Sequence, residues 1–127
     1  LKEERFGTVT SLGGLPLGVR DALQALFHSP SLDIAEPGAE FQATDPAARN
    51  PVRPTRRLVA AGCSTDHCLV YYERSGPSIT WRVALFHWTP AETRFEWGGA
   101  APGGLAGIDD VQRAVLSRTI RSPERSW

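Results

Sequence analysis

Cys63 and Cys68 sit in the run Gly62-Cys63-Ser64-Thr65-Asp66-His67-Cys68, and they are the only cysteines of the chain. Apolar stretches flank them, Leu58-Val59-Ala60-Ala61 before and Leu69-Val70-Tyr71-Tyr72 after. Ser, Thr and Asp between two such stretches are turn residues. The pattern is that of a β-hairpin with the cysteines facing each other at its mouth. Directly opposed residues of an antiparallel ladder lie about 4.5–5.5 Å apart at Cα, within reach of a disulfide. A Cys63–Cys68 disulfide is therefore expected, and with it an oxidising compartment, periplasmic or secreted.

The hairpin belongs to a longer run. Strands are expected at 56–62, 68–74, 79–89 and 93–98, separated by Ser75-Gly76-Pro77-Ser78 and Thr89-Pro90-Ala91-Glu92. Connections this short force neighbouring strands to run antiparallel. The 79–89 strand is apolar on both faces, so both faces need cover. Upstream, 5–12 reads as a short first strand, and a short edge strand is expected around Glu40-Phe41-Gln42-Ala43. Val19, Ala22, Leu23, Leu26 and Phe27 mark one face of a helix over 16–28. A second helix is expected from about 108 to 120, with Asp109 and Asp110 at its positive end and Arg118 and Arg121 near its negative end. The fold class is α+β: a four- or five-stranded antiparallel β-meander packed against an N-terminal helix, with a C-terminal helix covering an edge or the far face. One compact domain is expected over 1–121, with a Pro-rich loop at 29–55 inside it and a tail at 122–127.

Charge is balanced, 14 Lys+Arg against 14 Asp+Glu, which gives no global attraction to nucleic acid or anionic membranes. Hydrophobic residues make up 41% of the chain, enough for a core. No apolar run of membrane-spanning length occurs. The sequence opens at Leu1 and contains no Met, which fits removal of a signal peptide or trimming of the chain.

Several motifs resemble chemistry. Gly98 to Gly104 lies between a strand and a helix, as a phosphate cradle does, but Leu105 and Ala106 stand where Lys and Ser/Thr are required. Asp66 beside His67 suggests an acid/base pair, yet neighbours on a strand point to opposite faces. His87 reads as a sheet-face residue beside Trp88, and His28 as a helix-end residue. Arg49, Arg53, Arg56 and Arg57 form a basic run without interleaved aromatics, and Arg118, Arg121 and Arg125 a second group, so no nucleic acid is expected. A zinc site would draw on Cys63, His67 and Cys68, one ligand short of a closed tetrahedral set. No cofactor is implied.

The aromatic residues Trp81, Phe86, Trp88, Phe95 and Trp97 remain. With a tight turn at 89–92, Phe86 pairs with Phe95, and Trp88 and Trp97 are expected on that same face. The expected function is accordingly an exported, non-enzymatic domain that binds a protein or cell-envelope component through this aromatic sheet face. The alternatives are a small hydrolase or transferase using His67 or His87 with Asp66 or a cysteine, and a metal-binding domain using Cys63, His67 and Cys68.

Overall fold

The computed structural model describes residues 4–50, 52–117, 120 and 127. Five strands form one antiparallel sheet in chain order: β1 (Gly7–Val9), β2 (Arg56–Cys63), β3 (His67–Arg74), β4 (Thr80–Thr89) and β5 (Glu92–Ala101). Helix α1 (Leu17–Leu26) separates β1 from β2, and α2 (Ile108–Leu116) follows β5. The α+β meander expected from the sequence is the observed fold.

Both sheet faces are covered from within the chain. Along a strand, alternate side chains point to opposite sides. Leu58, Val70, Tyr72, Ala84 and Phe86 pack with Val19, Leu23 and Phe27 of the α1 region. Leu69, Tyr71, Val83 and Leu85 pack with Ile108, Val111 and Ala114 of α2. The C-terminal helix thus takes the far face, which explains why β4 is apolar on both sides. α1 has Pro16 as its N-cap and closes at Phe27, and His28 follows with a φ of 53°. That left-handed residue, rather than the following Ser-Pro pair, is where the helix ends. α2 carries Asp109 and Asp110 in its first turn, where the helix dipole favours negative charge.

The disulfide is formed, with Cα atoms 4.1 Å apart and Cys63 paired directly with Cys68. Closing so short a loop stabilises the fold by about 2 kcal/mol on the chain-entropy model. Reduction is expected to lower the unfolding free energy by that amount, seen as a lower urea midpoint with little change in m, read by fluorescence-monitored unfolding with and without a phosphine reductant. An unchanged midpoint would mean that the hairpin holds its register without the clasp.

Four sequence expectations are corrected. The first strand is only Gly7–Val9, because Leu12–Gly14 turns into a single 3-10 turn capped by Ser11. Residues 40–43 form no strand. Gln42 instead exchanges side-chain hydrogen bonds with the backbone of Asn50 (2.7 and 2.8 Å), and the segment that reaches the sheet is Ala35, bridged in parallel to Arg57. β5 runs on past the expected end at Gly98 to Ala101, so Gly99, Ala100 and Ala101 belong to the strand rather than to a loop. Gly98 is required there, since a Cβ would meet the Val83 carbonyl oxygen at 2.7 Å. α2 ends at Leu116, short of the expected end near 120; Arg118, Arg121 and the tail at 122–126, including Arg125, lie outside the described residues. Trp127 packs edge-on against Phe95.

Candidate functional site

β3 and β4 pair in a register that places His67 opposite His87. Both side chains project on the α2 face, since Leu69 and Leu85, two residues along, belong to the core beneath that helix. Their rings meet edge to face at 5.9 Å between centroids. A bulge between Leu85 and Phe86 leaves Glu96 of β5 without a direct Cα partner. Its carboxylate reaches back to the pair: Oε2 lies 3.4 Å from His67 Nε2, and Oε1 lies 3.8 Å from His87 Nδ1. Bulges re-aim side chains in this way. One ligand atom from each of His67, His87 and Glu96 lies within 4.8 Å of the others.

Glu4, just before β1, completes the cluster from the far side of His67. Its Oε2 accepts a 2.9 Å contact from His67 Nδ1 and a 2.5 Å hydrogen bond from Ser64 Oγ. Gln112 of α2 donates its side-chain amide to the Glu4 backbone carbonyl at 3.0 Å. Burial pushes the Glu4 carboxyl up, but hydrogen bonds, those from Ser64 and His67 among them, outweigh it and hold the group at about 2. Glu4 is therefore a carboxylate under all ordinary conditions. It fixes the His67 Nδ1 proton, so that Nε2 is turned toward Glu96.

The separations around Glu96 exceed a normal hydrogen bond of about 2.7–3.2 Å. In a tetrahedral zinc site with ligand bonds of about 2.0–2.1 Å, neighbouring ligand atoms stand about 3.3 Å apart. The 3.4 Å gap from His67 to Glu96 matches that spacing. The His87 gap needs a modest side-chain rotation, which partial exposure permits: the His67, His87 and Glu96 side chains are 22%, 21% and 31% exposed. Arg94 lies 3.6 Å from Glu96 Oε1 and counters part of its charge.

The other predicted residues fall elsewhere. Asp66 is exposed in the β2–β3 turn, and its carbonyl accepts from the Trp88 amide at 2.8 Å, so it does not join the histidines. Cys63 and Cys68 have no thiol to offer, and Cys68 is buried on the α1 face, opposite His67. A ligand set of Cys63, His67 and Cys68 is therefore not assembled. The aromatic residues do not share one face. Phe86 and Phe95 stack edge to face, and Trp88 joins them on the α1 side. The bulge at Glu96 shifts the rest of β5, pairs Trp97 with Leu85, and places it with Trp81 on the α2 side. Phe86 is fully buried, Trp81, Trp88 and Trp97 are partly buried, and Phe95 is 38% exposed. Trp88 also lines a groove of roughly 500 Å³ between α1 and the β4–β5 turn, bordered by Asp21, Pro90 and Thr93.

Glu4 and Glu96 are the functional candidates that sequence reasoning missed. The histidine pair had a usable signal, since each residue lies seven positions from the β3–β4 connection that joins Arg74 to Thr80. Glu4 had none, because its partner is 63 residues away.

Compared with known proteins, the chain matches no protein-family model, no curated protein and no solved structure.

Proposed function

We propose that this is an exported binding domain whose ligand is a divalent transition-metal cation, zinc being the best fit, held by His67, His87 and Glu96. The observation that carries the reading is the convergence of two imidazoles and a carboxylate, one ligand atom of each within 4.8 Å of the others, with Glu4 behind His67. Imidazole and carboxylate donors suit zinc. A carboxylate on the far nitrogen of a ligating histidine fixes its tautomer and raises its basicity. Three protein ligands leave a fourth position for water or for a group on a partner molecule. Export is supported by the disulfide. Among the described residues, no helix is long and apolar enough to cross a membrane.

Titration calorimetry with zinc after chelator treatment tests this. One equivalent is expected to bind, and at a hundredfold excess over Kd the native state gains about 2.7 kcal/mol, a rise in Tm of roughly 10 °C for a domain of this size. Heat of dilution alone, with no change in Tm, would end the reading.

A second reading has its own observation. Recognition of a protein or envelope component is supported by the partly buried Trp88 in the α1 groove and the exposed Phe95 on the same sheet face. Large aromatics at a partly open surface are frequent interaction anchors. Here Trp88→Ala would abolish saturable binding to purified envelope material while the fold persisted. Unchanged binding by the folded variant would dismiss it.

A further inference from the structure

At the opposite end of β3, and on the opposite face, lies a second concentration of charge. Arg56 opens β2, Arg74 ends β3 and Arg82 lies near the start of β4. Arg56 pairs with Arg74 across the ladder, and Tyr72 pairs with Leu58 on one side and Arg82 on the other. Leu58 and Tyr72 belong to the core under α1, so all three guanidinium groups project on that side. Like charges opposed on a sheet destabilise it. Arg56 is compensated by Asp33, at 2.9 Å. Arg74 has no carboxylate partner among the described residues, and Arg82 donates to the Trp81 carbonyl at 3.1 Å. Burial lowers the Arg56 and Arg82 pKa values, and the charge of Arg74 lowers both further.

Two buried hydroxyls toward this end of β3 have no hydrogen-bond partner among the described residues. Ser75 is 7% exposed and its Oγ has no hydrogen-bond partner among the described residues. Tyr72 is fully buried with its hydroxyl equally unpartnered, within electrostatic range of all three arginines. Buried polar atoms almost always find partners, so the orphaned Ser75 hydroxyl beside the arginines calls for a reason. Arg74, Ser75, Ser78, Thr80 and Arg82 line a recess of about 280 Å³. That lies just under the range of about 300–1,000 Å³ typical of pockets for drug-sized molecules.

We infer that this recess is an anion site that takes a phosphate group, with Arg74 and Arg82 supplying charge and Ser75 a hydroxyl donor. Guanidinium groups match phosphate geometry with paired N–H donors. The Ser75 hydroxyl supplies a short neutral donor from a position that water reaches poorly. The site shares no residue with the histidine cluster, so either can exist without the other.

The test uses the intact chain at fixed ionic strength, titrated by calorimetry with inorganic phosphate and with phenyl phosphate, sodium chloride serving as the control. One saturable site is expected. Arg74→Gln should weaken it by about tenfold or more, as loss of a charge-assisted pair does. Ser75→Ala should weaken it by about fivefold, while leaving the Tm without phosphate unchanged or higher, because an unsatisfied buried hydroxyl is removed. Binding of both compounds identifies a phosphate monoester head group, and binding of phosphate alone identifies the free ion. Equal responses to chloride and phosphate, or wild-type affinity in both variants, would overturn the inference.

Discussion

His87→Gln is expected to abolish nearly all of the zinc-dependent rise in Tm while leaving the zinc-free protein as stable as before. His87 is one of the three proposed ligands and is partly exposed on the sheet, so a polar amide there costs the fold little. Its loss leaves two ligands, and affinity should fall by more than about a hundredfold, beyond the 10–100-fold typical of losing a supporting carboxylate. At a zinc concentration that stabilises the native protein by about 2.7 kcal/mol, a hundredfold weaker site contributes only about 0.4 kcal/mol. Glu4→Gln should fall between the two, because it releases His67 without removing a ligand. Differential scanning calorimetry of the three proteins, with zinc and with chelator, reads the whole series. Identical zinc responses in the native protein and His87→Gln would mean that the cation sits elsewhere, and the histidines would then be a hydrogen-bonded pair bridged to Glu4 and Glu96.

Phe86→Ala is expected to cost about 3–5 kcal/mol, the range for truncating a fully buried aromatic. Phe86 has no exposed surface, stacks on Phe95 and lies in the cluster that joins α1 to the sheet. A small domain has roughly 5–15 kcal/mol in total, so the variant will be at the edge of folding at 37 °C. Trp88→Ala, on the same face but partly open at the α1 groove, should cost less than half as much. Urea unfolding of the two variants separates them. Equal losses would place Trp88 in the core proper and remove the surface on which the second functional reading depends.

The sequence carried the meander because its signals were local. Turn residues at 64–67, 75–78 and 89–92 punctuate apolar strands, and the Cys63–Cys68 spacing pins one hairpin. The Phe86–Phe95 pairing followed from counting back from the 89–92 turn, and it is observed. Counting failed beyond it, because the bulge at Glu96 inserts one residue into the ladder and turns Trp97 to the other face. No residue type at 95–97 announces a bulge, and Gly98, the position where backbones crowd, looked like the start of a loop. The candidate site was legible only in part. His67 and His87 were singled out one at a time, each assigned to a different neighbour. Their meeting depends on strand register, and the arrival of Glu4 depends on the tertiary fold. The cysteines, expected as a disulfide, form that clasp on the reverse face.

The order of the strands also sets an order of events. β2, β3, β4 and β5 pair only with chain neighbours, so their contacts close short loops at little entropic cost. β1 joins β2 across the whole α1 and 29–55 stretch, a far more distant closure of the kind that slows folding. His67, His87 and Glu96 thus come together with the meander itself, and Glu4 is delivered afterwards with the N-terminal segment. A cation taken up at the proposed site during folding is thus expected to meet the three-ligand cup before its supporting carboxylate.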